Sequence, residues 1–308
     1  MNCHSPDLSV VILTGNEELH IARAIASVAS LAREVIVIDS FSSDRTVEIA
    51  EALGAKVLQN TFINQAKQFQ WAMDNAPITA EWILRLDADE VIEPDLAAEI
   101  TKRLPSLPAD VVGINLKRKH IFMGRWIRHG GRYPLTMLRL FRRGHGRIED
   151  RWMDEHLVVW DGRTVTFGGG FADHNLKDLT FLIDKHNKYA TREAVDVLNQ
   201  KYGLYAQDER LSARGSSREA ALKRFIKNNL YDLLPLWIGP AAYFAYRYVL
   251  QLGFLDGKPG LIYHFLQGFW YRFLVAAKIY ELEAALAPLS GATEKRAELM
   301  RRTGLDLR

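Results

Sequence analysis

The stretch Trp82-Ile83-Leu84-Arg85-Leu86-Asp87-Ala88-Asp89-Glu90 passes from an apolar run straight into carboxylates. Such a run fits a buried strand that ends at the carboxyl edge of a sheet, where open α/β sheets bind their ligands. Two aspartates separated by one alanine repel each other in a tight turn, so a divalent cation with oxygen ligands is their natural partner. The plainer alternative is a solvated turn that caps a helix beginning at Pro94. The surrounding sequence has to decide between them.

Upstream, short β-rich runs alternate with amphipathic ones. Leu8 to Leu13, Val35 to Ile38, Lys56 to Leu58 and Trp82 to Leu86 read as strands. Leu19 to Ala29, Thr46 to Leu53, Gln65 to Met73 and Pro94 to Leu104 read as helices. This βαβ alternation predicts a parallel sheet. From Val111 onward the pattern changes to strands interrupted by glycine, at Val112 to Arg118, Thr136 to Arg142, Leu157 to Trp160 and Thr164 to Phe167, which predicts antiparallel additions. Leu176 to Tyr202 reads as one long helix. The expected organisation is a catalytic domain over 1–206, with a nucleotide-binding half to about 110 and an acceptor half after it. A polar linker at 207–219 and a helical C-terminal region at 220–308 follow.

The tail differs in character. Leu222, Phe225, Ile226, Leu230, Leu233 and Leu234 recur at helical spacing with Lys223, Arg224 and Lys227 between them, a basic amphipathic pattern. Leu233 to Tyr246 and Pro259 to Tyr271 contain no Asp, Glu, Lys or Arg, yet each is shorter than the ~20 apolar residues that cross a bilayer. Trp237, Tyr243, Tyr246, Tyr248, Trp270 and Tyr271 suit a membrane interface. The expectation is peripheral or monotopic attachment. The competing one is a helical subdomain packed on protein, including a second copy of the chain.

Composition bounds the rest. A net charge of +3 is too small to argue for nucleic acid, while basic clusters such as Lys117, Arg118, Lys119, Arg125, Arg128, Arg132, Arg139, Arg142 and Arg143 suit phosphate-bearing ligands. The single cysteine, Cys3, excludes an intrachain disulfide and a cysteine zinc cluster, which fits a reducing compartment. The first residues lack a basic flank and apolar core, so no cleaved signal is expected and the catalytic body is expected at the cytoplasmic side.

In a parallel sheet the ends of three strands share one edge. They carry Thr14-Gly15-Asn16-Glu17, then Asp39-Ser40-Phe41-Ser42-Ser43-Asp44-Arg45-Thr46, then Asp87-Ala88-Asp89. A carboxylate such as Asp39 can accept from a ribose hydroxyl or a base N–H, and the aspartate turn can hold a metal on phosphates. No Walker motif and no complete G-x-G-x-x-G occurs, which removes the main support for ATPase and dinucleotide readings.

As an ordered set these residues resemble glycosyltransferase family 2, inverting enzymes of GT-A fold. The carriers are Val10-Val11-Ile12-Leu13-Thr14 with Asn16-Glu17, Val35-Ile36-Val37-Ile38-Asp39 with Ser42, Asp44 and Thr46, and Leu86-Asp87-Ala88-Asp89. The resemblance implies a UDP-sugar donor and Mn²⁺ or Mg²⁺. Asp39 would then face the uracil, Asp87 the ribose or a metal-bound water, and Asp89 the metal. Asn64-Gln65-Ala66-Lys67-Gln68-Phe69-Gln70 falls where relatives carry a donor-contacting helix, making Lys67 a candidate, although Gln70 replaces the asparagine of many relatives. An inverting transfer needs a carboxylate base on the acceptor side. Glu155 and Asp154, in Trp152-Met153-Asp154-Glu155-His156, are the candidates, with Glu155 favoured and Glu149-Asp150 a third possibility. His174, after the glycine run Gly168-Gly169-Gly170, is a candidate metal ligand on a mobile loop.

Phe254-Leu255-Asp256-Gly257-Lys258-Pro259-Gly260 resembles the tail of bacterial lipopolysaccharide-core β-glucosyltransferases, implying a membrane glycolipid acceptor. No Gln-x-x-Arg-Trp element occurs, which argues against a processive synthase. Two other readings compete: an Asp-x-Asp phosphatase, for which no second acidic motif is found, and a non-enzymatic membrane scaffold that retains a nucleotide-sugar fold.

Overall fold

The computed structural model describes residues 6–149, 156–205 and 235–307. The chain divides into two compact units, Met1–Lys177 and Asp178–Arg308.

The first unit is a mixed α/β, GT-A-like structure. Its strands are β1 (Leu8–Thr14), β2 (Glu34–Asp39), β3 (Lys56–Gln59), β4 (Trp82–Asp87), β5 (Glu90–Ile92), β6 (Val111–Phe122), β7 (Arg125–Trp126), β8 (Leu135–Arg142), β9 (Gly146–Ile148), β10 (Leu157–Val159) and β11 (Arg163–Asp173). Its helices are α1 (Ile21–Val28), α2 (Thr46–Ala52), α3 (Gln65–Asn75) and α4 (Pro94–Arg103). The main sheet runs β3-β2-β1-β4-β8-β6-β11-β5, with β7 beside β6 and a separate β9–β10 pair. Strands β3, β2, β1 and β4 are mutually parallel, as the alternation predicts. Strand β8 is antiparallel to both β4 and β6, and β5 is antiparallel to β11.

Both faces of the sheet are covered, which is why its central strands read as continuous apolar runs. Leu8, Val10 and Ile12 of β1, with Trp82, Leu84 and Leu86 of β4, pack toward Ile21, Ala24 and Ile25 of α1 and Leu96 and Ile100 of α4. The alternate residues Val11, Ile36, Ile38 and Ile83 pack toward Ala66, Phe69 and Ala72 of α3. The period of two sends successive side chains into different cores.

The glycine run expected to be a mobile loop lies inside β11. A Cβ on Gly169 would stand 2.6 Å from the Leu96 backbone, and one on Gly170 would stand 2.9 Å from Lys119. Gly169 serves a close approach of β11 to α4 and Gly170 one of β11 to β6, so His174 follows the end of a strand and not a hinge.

The second unit contains α5 (Leu179–Tyr202), α6 (Ile238–Ala245), α7 (Gly257–His264), α8 (Tyr271–Leu286) and α9 (Ala292–Thr303). Helix α5 begins where the Asp178 carboxylate accepts from the Phe181 N–H at 2.8 Å, and it ends on Gly203 in the left-handed region, φ +60°. Its Ala194, Val195 and Leu198 pack with Leu282, Leu286 and Leu299, so this helix groups with the C-terminal helices, whereas the sequence division placed it in the catalytic domain. The basic amphipathic stretch and the linker at 207–219 lie outside the described residues.

Candidate functional site

The strand register builds the site. Thr14 stands opposite Asp39, and Leu13 opposite Asp87, so the ends of β1, β2 and β4 do share one edge. Strands β6 and β11 reach the same edge, with Asp173 opposite His120 on one side and Glu90 on the other.

Asp39 is fully buried and its oxygens are well supplied. Oδ1 accepts from the Thr14 hydroxyl at 3.0 Å and from the Ser42 hydroxyl; Oδ2 accepts from the Ser42 N–H at 2.8 Å and from Gln59 Nε2 at 3.1 Å. Asn16, at φ +57°, donates its N–H to Ser42 Oγ at 2.8 Å and accepts from the Ser43 N–H at 2.8 Å. Asp44 accepts from the Glu18 N–H at 3.1 Å and the Thr46 N–H at 3.0 Å, while Thr46 Oγ1 accepts from the Glu17 N–H at 2.7 Å. The loops after β1 and β2 are thus laced together by the residues that carry the sequence motif. Lys67 lies in the first turn of α3, exposed, with its N–H donated to the Asn64 side chain at 2.7 Å.

Asp87 and Asp89 flank the tight turn between β4 and β5. Asp87 Oδ2 accepts from Arg139 at 3.1 Å, and Arg85 stands 3.7 Å from Oδ1. Burial pushes the Asp87 carboxyl up, but Arg139 and Arg85 outweigh it and hold it down at about 2. Glu90, almost fully buried, accepts from Arg139 at 2.6 Å and from the Asp87 N–H at 2.9 Å. Burial dominates there, and with Asp87 competing for the same cation the Glu90 carboxyl is pushed up to about 8. Asp173 takes ion pairs from Arg118 and His120. Burial opposes its ionisation, but the hydrogen bond from His120 and the charge of Arg118 hold it far below the usual range.

The segment after β11 closes over this edge. The His174 N–H donates to the Asp89 carbonyl at 2.9 Å, and the Asn175 amide donates to Asp89 Oδ2 at 3.0 Å. Arg23 donates to the His174 carbonyl, and the Leu176 N–H donates to His20 Nε2 at 2.8 Å. Lys177 reaches the Asn16 carbonyl and Glu17 Oε1, both at 2.9 Å. Burial pushes Glu17 up, but its bonds from His20 and Lys177 win and lower it. The His174 imidazole is lowered by burial first and by Arg23 next, favouring its neutral form.

The structure therefore brings together Thr14, Asn16, Glu17, Asp39, Ser42 and Asp44 in one laced loop pair, and Asp87, Asp89 and His174 around one turn. Asp154 and Glu155 lie outside the described residues. Sequence reading missed Arg118, Asp173 and Lys177 as partners of the site; it noted Glu90 among the carboxylates of the turn and Arg139 as a cation for a leaving diphosphate or an anionic acceptor, without their pairing. Arg139 stood among the basic residues already noted, but its pairing with Glu90 depends on the neighbouring of β8 and β4.

Among the described residues no group of three or more His, Cys, Asp or Glu side chains is set to hold a metal ion. One observation does fit a cation: Asp87 Oδ1 is buried and has no hydrogen-bond partner. Together with Asp89 it offers the oxygen donors that magnesium or manganese takes, alongside ligand phosphates.

The model of glycosyl transferase family 2 matches residues 9–172, more than half of the chain and nearly all of the first unit. The chain belongs to glycosyl transferase family 2. Among similar proteins, an uncharacterized glycosyltransferase of Rickettsia typhi is 43% identical over 93 residues, 30% of this chain and 31% of that protein. One of Rickettsia bellii is 45% identical over 93 residues, again 30% of this chain and 31% of the relative. The matched stretch is thus under a third of the length of these relatives. Among solved structures, glucosyl-3-phosphoglycerate synthase from Mycobacterium tuberculosis, in complex with Mn²⁺, UDP and glucosyl-3-phosphoglycerate, is 22% identical with a TM-score of 0.31, covering 37% of this chain and 43% of that one.

Proposed function

We propose that this protein is an inverting glycosyltransferase that moves one sugar from a UDP-sugar to a membrane-linked glycan at the cytoplasmic face of the plasma membrane, the acceptor being a lipopolysaccharide core or a lipid-linked oligosaccharide. The observation that carries the reading is the convergence of Thr14, Asp39 and the Asp87–Asp89 turn on one sheet edge, within a family-2 match. Family membership also weighs against the phosphatase reading.

In this scheme Asp39 and the Asn16–Ser42 loop pair receive the uridine, with Asp44 and Glu17 keeping the loops in place. Asp87 and Asp89 would hold Mn²⁺ or Mg²⁺, which would supply positive charge to the departing diphosphate, and His174 braces their turn through its N–H bond to the Asp89 carbonyl. Arg139 holds Asp87 ionised and in register with the turn. Lys67 supplies a further cation on the donor side. Glu155 or Asp154 takes the proton of the acceptor hydroxyl, so that the oxygen attacks the anomeric carbon as the bond to UDP breaks, leaving the inverted sugar on the acceptor.

The test is calorimetric titration of UDP into the purified protein with Mn²⁺ and with EDTA, repeated on Asp89→Ala. Metal-dependent binding that the substitution abolishes is expected. Absence of UDP binding in a folded protein would discard the uridine donor.

A further inference from the structure

The segment joining α6 to α7 exposes Val249, Leu250, Leu252, Phe254 and Leu255, with Leu261 following on α7, and Leu250 is 73% exposed. Exposure on this scale, contiguous in the chain, exceeds the scattered apolar residues of an ordinary soluble surface. The segment is also firmly built. It runs through a π-helical turn at Tyr246–Leu250 and a 3-10 turn at Gly253–Asp256, and a Cβ on Gly253 would stand 2.7 Å from the His264 ring. The backbone at Gly253 is therefore packed closely against the end of α7.

The charges are sorted as well. Between Tyr248 and Gln267 the acidic and basic residues are Asp256, Lys258 and His264. Asp256 and His264 are buried, whereas Lys258 is exposed. The outward face of this turn thus presents hydrocarbon and one cation and withholds its carboxylate. Trp237 and Tyr246, both exposed, stand at the α6 side, and such rings favour the headgroup level of a bilayer.

We propose that the α6–α7 turn is a membrane-insertion tip that buries Leu250 and Leu255 among the acyl chains of an anionic bilayer surface while Lys258 pairs with lipid phosphate. Among the described residues no helix is long and apolar enough to cross a membrane, so the contact is an interfacial one. The tip deepens the membrane part of the proposed function and does not depend on the donor site, because vesicle binding and UDP binding are separate readings.

The experiment is flotation of the full chain with vesicles of phosphatidylcholine alone and of phosphatidylcholine mixed with phosphatidylglycerol. The wild type is expected to float with the anionic vesicles. Leu250→Ser combined with Leu255→Ser should weaken that binding at least about tenfold, from the loss of two inserted aliphatic side chains. Lys258→Gln should weaken it about fivefold on anionic vesicles and leave binding to neutral ones unchanged. All three positions are exposed, so circular dichroism should match the wild type. Failure of the wild type to float, or flotation indifferent to all these substitutions, would overturn the proposal. So would a concentration-dependent dimer, seen by sedimentation without vesicles and lost in the leucine variant, which would assign the face to a second copy.

Discussion

Replacing Arg139 by methionine tests the electrostatic account of the aspartate turn. The guanidinium, nearly buried, bonds Glu90 at 2.6 Å and Asp87 at 3.1 Å. Methionine keeps the volume of the stem and removes the charge. Burial already opposes ionisation of Glu90, so the chief uncompensated charge is that of Asp87, with Arg85 at 3.7 Å and the charge of Arg118 left to face it. Protonating Asp87 instead, from an ordinary value near 3.9, costs about 4 kcal/mol at pH 7. The lost stability is therefore ~3–4 kcal/mol, consistent with the cost of removing one partner of a buried pair. The pH dependence has a definite sign. In the variant Asp87 is raised above its unfolded value, the folded state binds more protons, and stability falls as pH rises. The deficit relative to wild type should shrink to about 1–2 kcal/mol at pH 5. Urea unfolding followed by circular dichroism at both pH values measures this. A loss under about 1 kcal/mol at pH 7, or a loss that does not change between pH 5 and pH 7, would refute the assigned roles of Asp87 and Arg139.

Glu34 staples the opposite edge of the sheet, accepting from Ser9 at 2.6 Å, Thr79 at 3.1 Å and Lys56 at 2.9 Å. Burial raises its carboxyl, but the bonds from Ser9 and Lys56 prevail and lower it to about 2. Its contribution is present above pH 4.5 and lost as pH falls toward 2, so Glu34→Gln should cost about 2 kcal/mol in urea unfolding at pH 7 and almost nothing near pH 2. Gly169→Ala should destabilise the protein by ~1–3 kcal/mol in the same assay, because the new methyl meets the Leu96 backbone; an unchanged midpoint would restore the mobile-loop reading. Asn199 Oδ1 accepts from the Leu204 and Tyr205 N–H groups at 2.8 and 2.9 Å, so Asn199→Ala should cost about 2–3 kcal/mol of thermal stability, and a neutral outcome would show the α5 terminus to be self-sufficient.

Periodicity made the parallel half of the fold legible. Val10, Val11 and Ile12, or Ile36, Val37 and Ile38, are apolar on both sides of a strand, and only a sheet covered on both faces accepts them. Strand β5 was not legible: three residues carry no period, and its pairing with β11 joins Glu90 to Asp173 across most of the unit. Gly168–Gly170 misled because glycine permits both mobility and close approach, and only the position of Leu96 distinguishes them. The stretch Leu176 to Tyr202 could be read as one long helix, whereas the helices it packs with could not, since a helical pattern does not name its partner. The ion pairs of Arg118 and Arg139 were hidden for the same reason. They depend on which strands become neighbours, and charge type alone leaves many combinations open.

The hydrogen bonds at the site divide its acidic residues into two kinds. Asp39 accepts four bonds, two at each oxygen, and Asp44 is bonded to both neighbouring loops. A ligand that bonds Asp39 must take the place of an existing donor. Gln59, whose side chain can rotate away, is a cheaper donor to displace than the Ser42 backbone N–H. Asp87 is different. Its Oδ1 is buried without a hydrogen-bond partner although two arginines stabilise the charge, an arrangement that folding alone does not require. Preorganised negative charge with spare coordinating capacity is suited to a cation arriving with a phosphate-bearing ligand, whereas the laced loops are suited to shape the rest of that ligand's seat. In the proposed function this division would leave the edge rigid where a nucleoside sits and able to accept charge where its phosphates sit.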